Sequence, residues 1–329
     1  MLILLIGSNS FAGSNFAKYL LDKGHKVIGV SRSSEIKSFY LSYKQSKYKK
    51  NFKFFQINLN RYKDIIKLID LIKKYKIKYI VNFAAQGMVA ESWLKPHDWY
   101  NTNVTAISKL INELSKLELK KFLNFTTPEV YGDTKNKIKE SINFYPSSPY
   151  AVSRASQDMN LIAYNKFFNF PVVFTRTANI YGPGQQLYRI VPKTIISVIL
   201  NKKIYLHGGG KSLRSFIFID DVCSVLADIL FDKSNIGKTF HISTNKFISI
   251  KNLVTMILDE MKASKSLISF KEERRAKDHG YFLDSSKIRK KYKWKEKISL
   301  DEGLKKTINY IYKNFYYIKN ESLEYRHKK

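Results

Sequence analysis

The chain has 329 residues, 44% hydrophobic and 14% aromatic. That supports one large α/β domain or two lobes around a substantial core and excludes a disordered chain. A formal charge of +31 invites a polyanion, but 48 of the 58 basic residues are lysines scattered among Ile, Asn, Tyr and Phe, unlike the clustered arginines of a nucleic-acid surface.

The first strand is the apolar run LILLI (2–6), which ends in Gly7 and reads as a buried parallel strand. A helix follows over 15–23, then strands at 26–32 and 52–59. Between the second and third strands lies the densest basic and aromatic stretch, 40–55, taken as solvated surface. RYKDIIKLIDLIKKYK (61–76) repeats apolar residues at helical spacing. Strand 77–85, helix 101–117, strand 120–127, helix 148–168 and strand 170–178 complete the alternation, which predicts a doubly wound parallel sheet. After about residue 180 the pattern loosens into loops at 181–186 and 207–212, and the tail 312–329 is expected to fray. The predicted division is a dinucleotide-binding unit of 1–178 and 214–245, a smaller lobe of 179–213 and 246–312, and a polar tail of 313–329. The lone Cys223 excludes an internal disulfide and a cysteine-based metal site, and the histidines lack ligand spacing, so no metal is expected. MLILLIG has no basic stretch and is too short for a secretion signal, and no apolar run reaches membrane-spanning length, so a cytoplasmic, membrane-free protein is expected.

A doubly wound sheet takes its ligands at the carboxyl ends of its strands. After the first strand comes GSNSFAG (7–13), with Gly7, Ser10 and Gly13 in a strand-to-helix turn suited to a pyrophosphate. After the second comes SRSS (31–34). Arg32 and Ser33 stand where NAD-binding folds place a carboxylate, and none occurs until Glu35. A basic, hydroxylic pair suits a 2′-phosphate, which leans the choice between NAD and NADP toward NADP. Tyr150 and Arg154 are four residues apart in a predicted helix and share a face, so the cation stabilises a phenolate.

These stretches, with NFAAQ (82–86), TTPEVYG (126–132), SPYAVSR (148–154), RTANIYGPG (176–184) and RSFIFIDDV (214–222), cover roughly residues 1–310. In that order they resemble the extended short-chain dehydrogenases/reductases, within the NAD-dependent epimerase/dehydratase family of nucleotide sugars. AAQ and the basic turn are similar to the NADP-using GDP-mannose 4,6-dehydratase branch, and EVYG with YGPGQQLYRIVPKTI (181–195) to the dTDP-glucose 4,6-dehydratases. The resemblance implies a Rossmann-type domain with a smaller interleaved substrate lobe. It implies a tightly bound nicotinamide cofactor held by Gly7, Ser10, Phe11, Gly13, Arg32, Asn58, Leu59, Ala84, Ala85, Gln86, Asn103, Tyr150 and Arg154. Ser10 replaces the middle glycine of the family's loop, and Asn58 an acidic residue. It also implies a nucleoside-diphosphate sugar held by Thr127, Asn179, Arg214 and Arg275, and a homodimer formed through helices 101–117 and 148–168.

By the same resemblance Thr127, Glu129, Tyr150 and Arg154 are catalytic. Thr127 holds the sugar O4, Tyr150 removes its proton as C4 is oxidised, and Glu129 removes the newly acidic C5 proton while water leaves from C6. Arg154 stands for the family's lysine, keeping the charge but unable to relay a proton. Pro128 stands where the dTDP-glucose enzymes carry an acidic Asp, so Glu129 is expected to deliver its proton to the leaving hydroxyl. The product is a 4-keto-6-deoxy sugar. The alternative is a nucleotide-sugar 4-epimerase or another C4 oxidoreductase, which never needs Glu129.

Overall fold

A computed structural model describes residues 1–273 and 279–327. Arg275, expected at the substrate diphosphate, lies outside the described residues. The first half of the chain alternates strand and helix: β1 (Leu2–Ile6), α1 (Phe11–Asp22), β2 (Lys26–Ser31), β3 (Phe52–Gln56), α2 (Tyr62–Lys74), β4 (Tyr79–Asn82), α3 (Pro96–Tyr100), α4 (Ile107–Leu114), β5 (Lys121–Thr126), α5 (Pro149–Phe168) and β6 (Val172–Thr177). Then come β7 (Asn179–Tyr181), α6 (Ile190–Ile199), β8 (Ile204–His207), β9 (Leu213–Arg214), β10 (Phe216–Phe218), α7 (Ile219–Phe231), β11 (Thr239–Ile242), β12 (Ile248–Ser249), α8 (Ile250–Glu260), β13 (Ile268–Lys271), α9 (Ser286–Tyr292) and α10 (Leu300–Ile318).

Seven strands form one parallel sheet in the order β11-β6-β5-β4-β1-β2-β3. The chain builds outward from β1 in one direction through β2 and β3, then in the other from β4 onward. The reversal between β1 and β4 opens a crevice at the strands' carboxyl ends. β1 shows why the run LILLI is apolar throughout. Ile3 and Leu5 enter the core beneath α1 and α7, while Leu4 and Ile6 enter the core beneath α2 and α4. The remaining strands pair in twos, β7 with β10, β8 with β13 and β9 with β12.

Several elements differ from the sequence expectation. The third strand stops at Gln56, and the fourth covers only Tyr79–Asn82. The helix expected over 101–117 starts at Pro96, widens to a π-helical turn over Asn101–Ala106 and ends at Leu114. α10 runs on to Ile318, because Ile311 and Ile318 keep the helical period and bury at 2% and 1% exposure. The segment beyond it packs back onto the crevice rather than fraying.

Candidate active site

At the carboxyl end of β1, Gly7 has φ 87°. A Cβ there would lie 2.7 Å from the Ala84 amide nitrogen, so only glycine permits the approach of this turn to the loop after β4. Gly13 presses its α-carbon side to Gly7, where a Cβ would sit 2.3 Å from the Gly7 carbonyl oxygen. Ser10, between them, has ordinary extended backbone at φ −73° and caps α1, its hydroxyl accepting from the Gly13 amide at 3.0 Å. The position needs no glycine, so serine fits the turn without backbone strain. Phe11 opens the helix, whose first-turn N–H groups lack helical acceptors and face the crevice.

Next along the sheet, Arg32 follows β2, partly buried; burial pulls its pKa down, partly offset by the nearby Tyr325 and Asp98. Glu35, the first carboxylate after it, accepts from the Tyr43 hydroxyl at 2.7 Å and pairs with Lys44 at 3.2 Å. Asn58 turns the chain after β3, its side chain accepting from the Asn60 amide at 3.1 Å, and Leu59 is buried against α2. After β4, Ala84 is tied to Asn82, Ala85 is exposed and Gln86 is 6% exposed. The wide turn at Asn101–Ala106 aims Asn103 at the Gln86 backbone. Its side chain accepts from the Gln86 amide at 2.7 Å and donates to the Gln86 carbonyl at 3.0 Å and to the Ser153 hydroxyl at 2.9 Å. Asn103 thus positions the loop rather than presenting its amide to the crevice.

The turn after β5 and the start of α5 carry the candidate catalytic groups. Pro128 is buried and starts a single 3₁₀ turn, Pro128–Tyr131, which carries Glu129 just past the strand. α5 begins at Pro149 behind the Ser148 cap, whose hydroxyl accepts from the Ala151 amide. This places Tyr150 over the end of β5 and Arg154 one turn deeper. Burial raises the Tyr150 pKa, and the charge of Glu129 raises it further; the Arg154 guanidinium and a hydrogen bond with the Thr127 hydroxyl pull it back. Thr127, Glu129, Tyr150 and Arg154 therefore share one site. Arg154 is 2% exposed and donates from Nη2 to the Phe125 carbonyl at 2.6 Å. Its Nε and Nη1 are buried with no protein partner. Donors stranded like this call for a ligand acceptor, and a ribose hydroxyl fits them. With the Gly7–Gly13 turn, they make the crevice a match for a nicotinamide dinucleotide.

Toward the second half of the chain, Asn179 begins β7 and is exposed, held by its own amide to the Ser215 carbonyl. Arg214 stacks over the Tyr281 ring at 4.9 Å and donates to the Leu213 and His279 carbonyls, both at 2.7 Å. Sequence reasoning passed over Arg189, just before α6. Its charge lowers the Tyr150 pKa, so it lies within electrostatic reach of that hydroxyl. Among 58 basic residues, nothing local marked it.

Beneath the site runs a buried polar network. Arg176 donates to Asp158 at 3.0 Å and to the Tyr131 hydroxyl at 2.7 Å. That hydroxyl lies 2.9 Å from His241 Nε2, and His241 Nδ1 is 3.2 Å from the Asp284 carbonyl. Among the described residues no group of His, Cys, Asp and Glu is arranged to hold a metal ion, and no helix is long and apolar enough to cross a membrane.

Comparison with known proteins agrees with this geometry. Residues 4–307 match the family described as GDP-mannose 4,6 dehydratase. The dTDP-D-glucose 4,6-dehydratase of Dictyostelium discoideum is 30% identical over 95% of this chain and 81% of its own length. The crystal structure of dTDP-glucose 4,6-dehydratase from Bacillus anthracis in complex with NAD superposes with a TM-score of 0.85 and 26% identity, over 98% of this chain and 100% of that one. The UDP-glucose 4-epimerase of Thermotoga maritima superposes almost equally, TM-score 0.86 with 25% identity over 96% and 100% of the two chains, so the fold alone does not separate the two reactions. The match across nearly the whole chain and a site that keeps Thr127, Glu129 and Tyr150 together place this protein among the nucleotide-sugar 4,6-dehydratases, NAD(P)-dependent lyases of the epimerase/dehydratase family.

Proposed function

We propose that the chain converts a nucleoside-diphosphate hexose into its 4-keto-6-deoxy derivative, with Thr127, Glu129, Tyr150 and Arg154 as the catalytic set. The observation that carries this is the mutual influence of Glu129, Thr127 and Arg154 on the Tyr150 hydroxyl. A nicotinamide bound in the crevice supplies oxidation at C4 and the matching reduction at C6. Thr127 holds the sugar O4 and Tyr150 takes its proton, with Arg154 stabilising the phenolate. Glu129 takes the C5 proton and hands it to the C6 hydroxyl, which leaves as water. The C5 electron pair becomes the C5–C6 double bond, so the elimination returns Glu129 to its carboxylate form; the reduction at C6 is then matched by a proton added at C5, equal in count to the one Tyr150 took from O4. Pro128 shapes the turn that aims this carboxylate and leaves both proton transfers to it.

Arg32 favours NADP, because the carboxylates near it are engaged, Glu35 by Tyr43 and Lys44 and Asp98 by His327. Gly7, Ser10, Phe11, Gly13, Ala84, Ala85, Gln86, Asn58 and Leu59 line the dinucleotide side. Asn179, Arg214 and Arg189 serve the sugar diphosphate, by bidentate contact where arginine is available. Residues 1–178 and 214–245 form the dinucleotide unit, and 179–213 and 246–312 the sugar lobe. A homodimer through the helical stretch 101–117, which contains α4, and through α5 accords with the exposed apolar side chains Val152 and Met159 of α5. A reducing, cytoplasmic setting accords with the free, buried Cys223.

Glu129→Gln tests the reading. In a panel of nucleotide sugars followed by mass spectrometry, the variant should lose water from substrate about 10²–10⁴-fold more slowly. Oxidation at C4, read as reduced nicotinamide absorbance in a single turnover, should persist. Unchanged water loss would refute the role of Glu129. Interconversion of C4 epimers with no loss of water, unaffected by the substitution, would establish an epimerase instead.

A further inference from the structure

The family match ends at residue 307, but the chain continues through α10 and then doubles back over the crevice. Polar, ring and ion-pair contacts hold this last segment. Gln86 Nε2 donates to the Tyr325 hydroxyl at 2.7 Å and lies 3.2 Å from His327 Nδ1. His327 Nε2 is 2.7 Å from Asp98 Oδ2, and its ring stacks on Trp99 with centroids 5.0 Å apart and planes 12° from parallel. Tyr325 packs edge-on against Tyr188 at 5.3 Å. Glu324 pairs with Lys193 at 2.7 Å, and Glu321 pairs with Lys37.

The position of these partners is telling. Arg32 and Lys37 follow β2, while Gln86 and Asp98 follow β4, and β1 lies between those strands. A segment that touches both sides passes over Gly7 and the start of α1, where a dinucleotide must cross the sheet. It occupies Gln86, faces Arg32 with Tyr325, and offers carboxylates in a chain of net charge +31.

We propose that residues 321–327 form an autoinhibitory strap, which occupies the dinucleotide crevice and must leave it for the cofactor to load. The inference rests on the reading of this crevice as the dinucleotide site. Strap and dinucleotide exclude one another because the strap crosses from Lys37 beyond β2 to Gln86 beyond β4, over Gly7, and takes up Gln86. The strap therefore taxes cofactor affinity by the fraction of molecules in which it is closed.

The test uses the intact chain stripped of bound dinucleotide, a chain ending at Asn320, and the full-length Tyr325→Phe/His327→Ala variant. NADH and NADPH are titrated into each and followed by nucleotide fluorescence. The shortened chain should bind the preferred dinucleotide about tenfold more tightly, and the double variant should move the same way. In the intact chain, dinucleotide should hasten cleavage at Glu321 and Glu324 by a glutamyl endoprotease. Equal affinity in all three proteins overturns the strap and leaves the site reading standing. Weaker binding by the shortened chain, with dinucleotide protecting the segment from cleavage, overturns mutual exclusion and makes the segment a cover for bound cofactor. Failure of every form to bind either dinucleotide overturns the site reading and the strap together.

Discussion

Two buried arginines lie on neighbouring elements, one on helix α5 and one on strand β6, and their surroundings differ in kind. Arg176, on β6, is fully buried and spends both terminal nitrogens inside the protein, on Asp158, Tyr131 and the Ser141 carbonyl. The Tyr131 and Phe144 rings flank its guanidinium, each 4.9 Å away. Arg154, on α5, is almost as buried but is given one carbonyl, with two nitrogens left unmatched. Burial of a cation is costly unless it is paired and bonded. Arg176 meets most of that cost from within the fold, with an ion pair and only its Nε unmatched, whereas Arg154 has no carboxylate bonded to it and is left to meet more of the cost with a ligand. The contrast separates a cation that holds the structure from one that waits for chemistry, though both touch the field of Asp158.

Exchanging each arginine for methionine breaks the comparison in opposite directions. Arg154→Met should cost about 10²-fold in turnover, because the phenolate of Tyr150 loses its neighbouring charge. On the proposed mechanism Tyr150 acts as a phenolate, and Arg154 lowers its pKa. The rise of kcat/KM with pH should therefore move to higher pH in the variant. Its thermal midpoint should barely change, since an underbonded buried charge is replaced by an apolar side chain of similar length. Arg176→Met should do the reverse, removing about 3–5 kcal/mol of stability by leaving Asp158 uncompensated. Whatever fraction folds should keep the pH profile of the parent. Equal stability loss in both variants would erase the distinction.

What could be read in advance was local. LILLI ending in Gly7 announced a buried strand and its turn, because a strand covered on both faces must be apolar throughout. Tyr150 and Arg154 announced a shared face, because helical spacing is a property of four adjacent residues. Ser10 was harder. It looked like a defect in a glycine loop, yet the same hydroxyl caps α1. The π-helical turn at Asn101–Ala106 was invisible, since Asn103 is fixed by Gln86 and Ser153, 17 and 50 residues away. Arg189 and Tyr325 depend on partners just as distant, so no window of sequence contains the reason for their placement. The tail read as polar and frayed because its partners, Gln86 and Trp99, belong to the opposite end of the chain.

The smallest expected effect sharpens the account of the Arg176 side. His241 is fully buried, and burial, reinforced by the nearby Arg176 charge, pushes its pKa from 6.5 down to about 3. The native imidazole therefore stays neutral while the unfolded chain takes up a proton below pH 6.5. Unfolding then binds a proton, so this residue's contribution to stability is full above 6.5 and is lost as pH falls toward about 3. The slope approaches about 1.4 kcal/mol per pH unit within that window. Between pH 7 and pH 5.5, denaturant unfolding should show a loss of roughly 1 kcal/mol in the parent that His241→Gln does not share. The variant is less stable at pH 7, because Tyr131 loses its ring partner, so the difference in pH dependence is the reading that matters. Parallel pH curves for the two proteins would mean that His241 takes its proton in the folded state, and that the charge of Arg176 is better screened than its burial implies.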